Sequence, residues 1–532
     1  MSDLFADCGL NMTHAAVDRH VEKGGGDRVA MRWPAAVGQC REVTYAGLRE
    51  ESSRFAGVLA GLGIKPGEVV AAYIGRIPAL YVTALGAWRA RCVFCPLFSD
   101  FGPEPVLHRL RISRAAVLVT TGALYGATVA GLRDRLPCLR HVLLADPDTA
   151  PPANTLSLPH LMRAAPAFFP IDPTEPQDRA SLHFTSGTTG MPKGAVHVHD
   201  AVRYLERTGR EVFQFQERDI FWCTADPGWV TGTSYGIITP LVCGVTAVVD
   251  EAAFDVTRWY SILAHERVSV WYTSPSAIRR LMRADPSPRD AYDLGALRLI
   301  CSVGEPLHAG AVHWAEHTLG LPVVDTWWQT ETGGIMISSA AAPRIRPGSM
   351  GWPLPGIEAA VVERSQDGMV VGPVAPEQAG ELALKPGWPS LFREYLDAPQ
   401  AYAQCFAGGW YLTGDLVRRD PDGYFWFLGR ADDIIKSAGH LVSPFEVESA
   451  LMDHAAVGEA AVIGIPDPLL GARVKAFVTL KPGRNAGEPL RRELIAYARR
   501  RLGPAIAPRE IEFADELPKN KAGKIVRRLL RG

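Results

Sequence analysis

The sequence predicts an α/β protein in two parts, a large N-terminal region (1–431) and a small C-terminal α/β domain (432–532). Three observations carry this. Strand-like and helix-like stretches alternate along the first part, the pattern of α/β layers with mostly parallel strands. A chain of 532 residues is too long for one hydrophobic core. A charged joint, Ala431-Asp432-Asp433, separates a strand-like Tyr424–Phe427 from a fresh α/β pattern of about a hundred residues, a credible domain size.

In chain order, Val69–Ile74 reads as a strand and Pro78–Ala90 as a helix with Leu80, Ala84 and Ala87 on one side. Ala116–Thr120 reads as another strand. Residues 150–176 are rich in Pro and Ala and read as a surface connection. Leu182–Phe184 reads as a strand end. Beyond the joint come a helix over Pro444–His454, strands over Ala460–Ile465 and Val474–Leu480, and a basic helix over Leu490–Leu502. No internal repeat interrupts this order.

Composition narrows the function classes. The chain is 47% hydrophobic and 21% charged, with a net charge of −1, so no global field draws in nucleic acid or a membrane surface. The N-terminal stretch holds Asp3, Asp7 and Asp18 and no long apolar run, unlike a secretory signal. No segment approaches the ~20 apolar residues of a membrane span; Gly236–Val249 is broken by Pro240 and Gly244. The nine cysteines are scattered, as in a reducing compartment. A cytoplasmic location is expected. Cys92-x-x-Cys95 encloses the strand-like Val93-Phe94 and reads as core packing, not a metal or redox pair.

The most informative segment is Thr185-Ser186-Gly187-Thr188-Thr189-Gly190-Met191-Pro192-Lys193-Gly194. Gly187, Gly190 and Gly194 allow close backbone approach to a ligand. Consecutive N–H groups in such a loop form an anion-binding concavity, and Ser186, Thr188 and Thr189 add hydroxyls. Lys193 adds a cation. The loop is not the Walker pattern, because Pro192 intervenes and Gly194 follows the lysine.

This segment resembles the ATP-binding signature of AMP-forming, adenylate-forming enzymes, a family that includes acyl-CoA synthetases. Further segments match the family in order, from about Val43 to Arg531. They are Ser302-Val303-Gly304-Glu305-Pro306, Asp325-Thr326-Trp327-Trp328-Gln329-Thr330-Glu331, Thr413-Gly414-Asp415, Gly429-Arg430 and Gly523-Lys524-Ile525. The first two are expected just past the strands Leu297–Cys301 and Leu321–Val324, where open α/β sheets bind ligands.

The resemblance implies ATP, Mg²⁺ and coenzyme A as cofactors and co-substrates, and an acid–thiol ligase activity. Thr185, Ser186, Gly187, Thr188, Thr189, Gly190 and Lys193 would hold the phosphates. Gly304, Glu305, Pro306, Asp325, Thr326, Trp327, Trp328, Gln329, Thr330, Asp415 and Arg430 would hold adenosine. Glu331 would hold the metal. Lys524 would serve as the catalytic cation and is also a candidate for lysine acylation. Asp432 matches the hinge of a mobile C-terminal domain, and Thr231, Ala438 and Gly439 match the coenzyme A path.

Within the family, residues Phe221–Tyr235 and Val324–Gly334 are most similar to acetyl-CoA synthetases. In that comparison Val230, Thr231, Val303 and Trp328 wall the acyl pocket. A short acid is therefore expected: acetate, with propionate second. Two departures keep a larger branched or aromatic acid open. The long N-terminal extension of common acetyl-CoA synthetases is absent. Leu441 stands where they carry arginine, and Leu441–Glu446 is closer to aryl-CoA ligases.

Overall fold

The computed structural model describes residues 10–35, 40–146, 151–185, 192–284, 288–365, 369–431, 433, 435–437, 440–467, 471–504, 506–519 and 525–531. The chain divides into two units. The first comprises residues 1–304, 315–338 and 387–404; the second comprises 305–314, 339–386 and 405–532.

The first unit contains two large sheets. One has eight strands in the order Glu394–Tyr395, Lys193–Val198, Arg179–Thr185, Val93–Leu97, Val69–Tyr73, Val117–Thr120, His141–Leu144 and Leu156–Ser157. From Val93–Leu97 to the Leu156 edge every pairing is parallel, with helices Pro78–Arg89 and Pro103–Ser113 among the crossovers. The strands are near-continuous apolar runs, as strands covered on both faces must be. Cys92 and Cys95 are fully buried and unbridged, and burial pushes both thiols up to about 12. They are core, as the sequence predicts.

The second sheet of this unit runs Ile337–Ser338, Val323–Trp327, Leu299–Ser302, Val270–Thr273, Ile220–Cys223, Thr246–Val248, Val29–Trp33 and Arg41–Thr44. Its middle strands are parallel. Residues 150–176 are more than a plain connection. Leu158–Ala164 is a helix whose Ser157 cap accepts a hydrogen bond from His160 N, and Leu158 and Met162 bury its inner side.

The second unit contains an antiparallel sheet ordered Val370–Pro373, Ala359–Arg364, Ala379–Leu384, Trp410–Arg419, Phe406–Ala407, with Phe425–Arg430 also paired to Trp410–Arg419. Its C-terminal part packs helices Pro444–Met452 and Glu488–Leu502 with a three-stranded sheet, Val457–Asp467, Gly471–Leu480 and Glu510–Phe513. Val447, Leu451, Val462, Val478 and Leu494 form that core. No helix among the described residues is long and apolar enough to cross a membrane.

Candidate active site

The strands Arg179–Thr185 and Lys193–Val198 form an antiparallel pair in which Thr185 faces Lys193. They bracket residues 186–191; Ser186, Gly187, Thr188, Thr189 and Gly190 lie outside the described residues. Lys193 Nζ sits 5.2 Å from the centre of the Tyr395 ring. The Tyr395 hydroxyl donates to Glu331 Oε1 at 2.5 Å. One tyrosine therefore touches both Lys193, which opens the strand after the Gly-rich segment, and the carboxylate expected to hold metal.

Tyr395 belongs to the edge strand paired with Lys193–Val198, opposite Ala195. No local motif marks it, and only sheet pairing brings it here. Glu331 meets what Mg²⁺ asks of a protein, which is usually one or two carboxylates beside substrate phosphates. Among the described residues no cluster of three or more His, Cys, Asp or Glu could hold a metal ion.

The segment holding Glu331 is rigidly anchored. Asp325, Thr326 and Trp327 lie within the strand Val323–Trp327, not beyond it as the sequence suggests. The strand runs on because Ser302 pairs with Asp325 on one side, and Ser338 and Ile337 pair with Thr326 and Trp327 on the other. Burial pushes the Asp325 carboxyl up to about 7. The following turn is held at Thr332, whose carbonyl accepts from Trp388 Nε1 at 2.9 Å and Ser390 Oγ at 2.7 Å. Gly333 takes φ +69°, and a Cβ there would meet Ser390 O at 2.2 Å, so only glycine fits.

Trp328 is 8% exposed. Its Nε1 donates to the Tyr272 hydroxyl at 3.1 Å, and its ring meets Tyr235 edge-on at 5.1 Å. The sequence places Trp328 in a polar run; its aromatic neighbours Tyr235 and Tyr272 arrive from other elements. Val303 is buried just past the strand Leu299–Ser302, and Gly304 follows with φ +90°.

Val230 and Thr231 open a short helix and are half-buried. The turn before it is closely packed. A Cβ on Gly232 would meet the Asp226 carbonyl at 2.3 Å, and one on Gly228 would meet Phe98 backbone at 2.5 Å. Asp226 Oδ1 accepts from Gly228 N at 2.8 Å. Burial nevertheless lifts its carboxyl from 3.8 to about 6. A carboxyl with a raised folded pKa binds its proton more tightly when folded, so its charged form costs stability as pH rises from about 4 to about 6. Asp226→Asn is expected to gain on the wild type over that window by about 2–3 kcal/mol. Urea midpoints at pH 4 and pH 7.5 check this, and an offset that does not change with pH would contradict it.

In the second unit Asp415 is buried, and Arg430 Nη1 donates to its Oδ1 at 2.7 Å and to Thr413 O at 3.1 Å. The two predicted nucleotide contacts are thus partners of each other across paired strands. Gly414, between Thr413 and Asp415, has φ +70°, and its N–H donates to Glu381 Oε1 at 2.9 Å. Glu305 and Pro306 also fall in this unit. Asp432, Ala438, Gly439 and Lys524 lie outside the described residues, and Leu441 falls in the strand His440–Val442.

The chain belongs to the AMP-binding enzyme family, whose model matches residues 17–396, with the AMP-binding enzyme C-terminal domain over 446–524. Among curated relatives it is 40% identical over 524 residues to an acetyl-coenzyme A synthetase of Bacillus subtilis (strain 168), covering 98% of this chain and 90% of that one. It is 37% identical to the acetyl-coenzyme A synthetase of Stutzerimonas stutzeri (strain A1501), covering 99% and 84%. Among solved structures it is similar to an anthranilate CoA ligase in complex with anthranoyl-AMP, with a TM-score of 0.89, 29% identity, and coverage of 99% and 98%. A benzoate CoA ligase from Burkholderia xenovorans LB400 aligns with a TM-score of 0.87 at 27% identity, covering 98% of this chain and all of that one.

Proposed function

We propose that this chain is an ATP-dependent, AMP-forming acid–thiol ligase that joins a short-chain carboxylic acid to coenzyme A through an acyl-adenylate. Acetate is the first substrate and propionate the second. The observation that supports this most is the contact chain Lys193–Tyr395–Glu331, which joins the lysine that follows the Gly-rich segment in sequence to a carboxylate. The acid follows from the relatives and from the buried Trp328.

In the first half-reaction a carboxylate oxygen attacks the α-phosphorus, and the bond to pyrophosphate breaks with its electron pair. Such a step needs fixed donors and cations more than a proton shuttle. The loop N–H groups and hydroxyls with Lys193 bind the phosphates, and Asp415 binds the ribose hydroxyls. Glu331, oriented by Tyr395, holds Mg²⁺, which neutralises phosphate charge when bound. Lys524 binds the α-phosphate and the acid. In the second half-reaction the thiol sulfur attacks the acyl carbon, AMP leaves with the electron pair, and the thiol proton passes to solvent. Thr231, Ala438 and Gly439 line the thiol path. ATP–pyrophosphate exchange with a panel of acids tests the assignment, which exchange greatest with hexanoate or benzoate would reject. Such a result would favour the second reading, a ligase for a larger or aromatic acid, which the likeness to the anthranilate and benzoate ligases supports.

Residues 432–532 act as the mobile C-terminal domain in this reading, turning about Asp432 between half-reactions. Asp432→Pro fixes φ near about −65° and is expected to slow one half-reaction far more than the other. Equal loss of both in a variant with native circular dichroism would argue against a hinge.

A further inference from the structure

The arms flanking residues 520–524 are held by two buried carboxylates. Lys519 and Ile525 form an antiparallel bridge, and Val526 N donates to Pro518 O at 2.8 Å. On the entering arm, Lys519 Nζ lies 2.8 and 2.7 Å from the two oxygens of Glu459. On the leaving arm, Arg527 Nη2 lies 2.8 and 2.9 Å from the two oxygens of Glu448. Glu459 is 7% exposed and Glu448 5%. Both are tied to the strand Val457–Asp467: Glu459 belongs to it, and Glu448 Oε1 accepts from Val462 N at 2.8 Å. Arg527 also reaches Asp433 Oδ2 at 3.4 Å, and Arg531 lies 3.9 Å from Asp433 Oδ1.

Stability alone does not explain this arrangement. Leu517, Ile525 and Leu530 already pack on Ala461, Ile463 and Phe477. Burying ion pairs beside such a cluster gains little over apolar contacts. Apolar packing lets an arm slide, whereas a charge pair on each arm fixes both position and register.

We infer that Glu448 and Glu459 are positioning residues for adenylation, clamping both arms beside Lys524, and that Asp433 ties this clamp to the segment after position 432. This rests on the assignment of Lys524 to adenylation. A reacting group displaced by ~1 Å costs about 10²-fold in rate, so loosening one arm reaches chemistry without touching substrate.

The test is Glu459→Gln and Glu448→Gln in the full chain, with Lys524→Ala as reference, using acetate. ATP–pyrophosphate exchange is expected to fall by roughly tenfold to a hundredfold in kcat with KM for ATP little changed. Thioester formation from supplied acetyl-adenylate is expected to stay within about twofold of wild type, because a positioning loss of this kind is confined to the step it serves. A purely structural role would lower both half-reactions together, and that result overturns the inference. Should a single variant fail to fold, the double variant Glu459→Leu/Lys519→Met removes both charges at once. It is expected to fold and still lose exchange, and full exchange in it overturns the inference. If Lys524→Ala itself retains exchange, the assignment of Lys524 fails. If Lys524→Ala loses exchange while the glutamate variants keep it, the assignment stands and the clamp fails.

Discussion

Lys524→Ala is expected to lose acyl-adenylate formation by roughly 10²–10³-fold or more, the scale of removing one oriented donor from a site where charge develops. Negative charge gathers around the α-phosphorus and on departing pyrophosphate, and an ammonium placed there stabilises the transition state more than the ground state. When a thiol displaces AMP, charge gathers instead on the phosphate oxygen that leaves the acyl carbon, and in the proposed reading the C-terminal domain has by then turned and carried Lys524 away. Supplied acyl-adenylate should therefore react with coenzyme A at near the wild-type rate. The two assays are pyrophosphate exchange and single-turnover thioester formation. Normal exchange in the variant would remove Lys524 from the mechanism, whereas matched losses in both would make it a general structural residue.

The second large effect concerns Trp328. In the proposed reading it walls the acyl pocket, and its ring is held by a hydrogen bond to Tyr272 and an edge contact with Tyr235, so a longer acid must displace a packed indole. In the wild type propionate should trail acetate by the ~1–3 kcal/mol that one methylene is worth in an apolar pocket. Further methylenes press on a packed indole and add overpacking strain of ~1–3 kcal/mol. Trp328→Gly opens that wall. Preference, read as kcat/KM from acetate to octanoate, is expected to move to longer linear acids while acetate loses its positioning surface. Deleting a buried indole costs about 3–5 kcal/mol, so the comparison is made at a temperature where circular dichroism shows the variant folded. A variant whose acid preference matches the wild type would take Trp328 out of the acyl pocket.

Much of this was legible in the sequence because its signals are local. The strands around Val70, Val117 and Val474, the helices at Pro78 and Pro444, and the buried Cys92 and Cys95 all follow from short-range pattern and lie close to where it puts them. The Gly-rich segment is read from ten residues, of which 186–191 lie outside the described residues. Features assembled across the sheets were not legible. Tyr395 reaches Glu331 only through strand pairing, and the tyrosines that hold the Trp328 ring come from segments distant in sequence. Arg430 and Asp415 were each assigned to nucleotide from motif register. Their contact with each other depends on how two strands pair, which neither motif encodes.

The edge of the second large sheet bears on how the chain is made. Val29–Trp33 pairs on one side with Arg41–Thr44, which follows it closely, and on the other with Thr246–Val248. Met31 is opposite Ala247, so one flank of an early strand waits for a segment made far later. At about 5–20 residues per second that wait lasts on the order of ten seconds or more. During it the apolar flank of Val29–Trp33 is an open pairing edge on a nascent chain, the kind of surface that recruits a wrong strand. The short hairpin with Arg41–Thr44 leaves that side occupied, and it places charged Arg41 and Glu42 beside the waiting strand. Yield on the ribosome, rather than stability of the finished enzyme, is where substitutions in this hairpin would register.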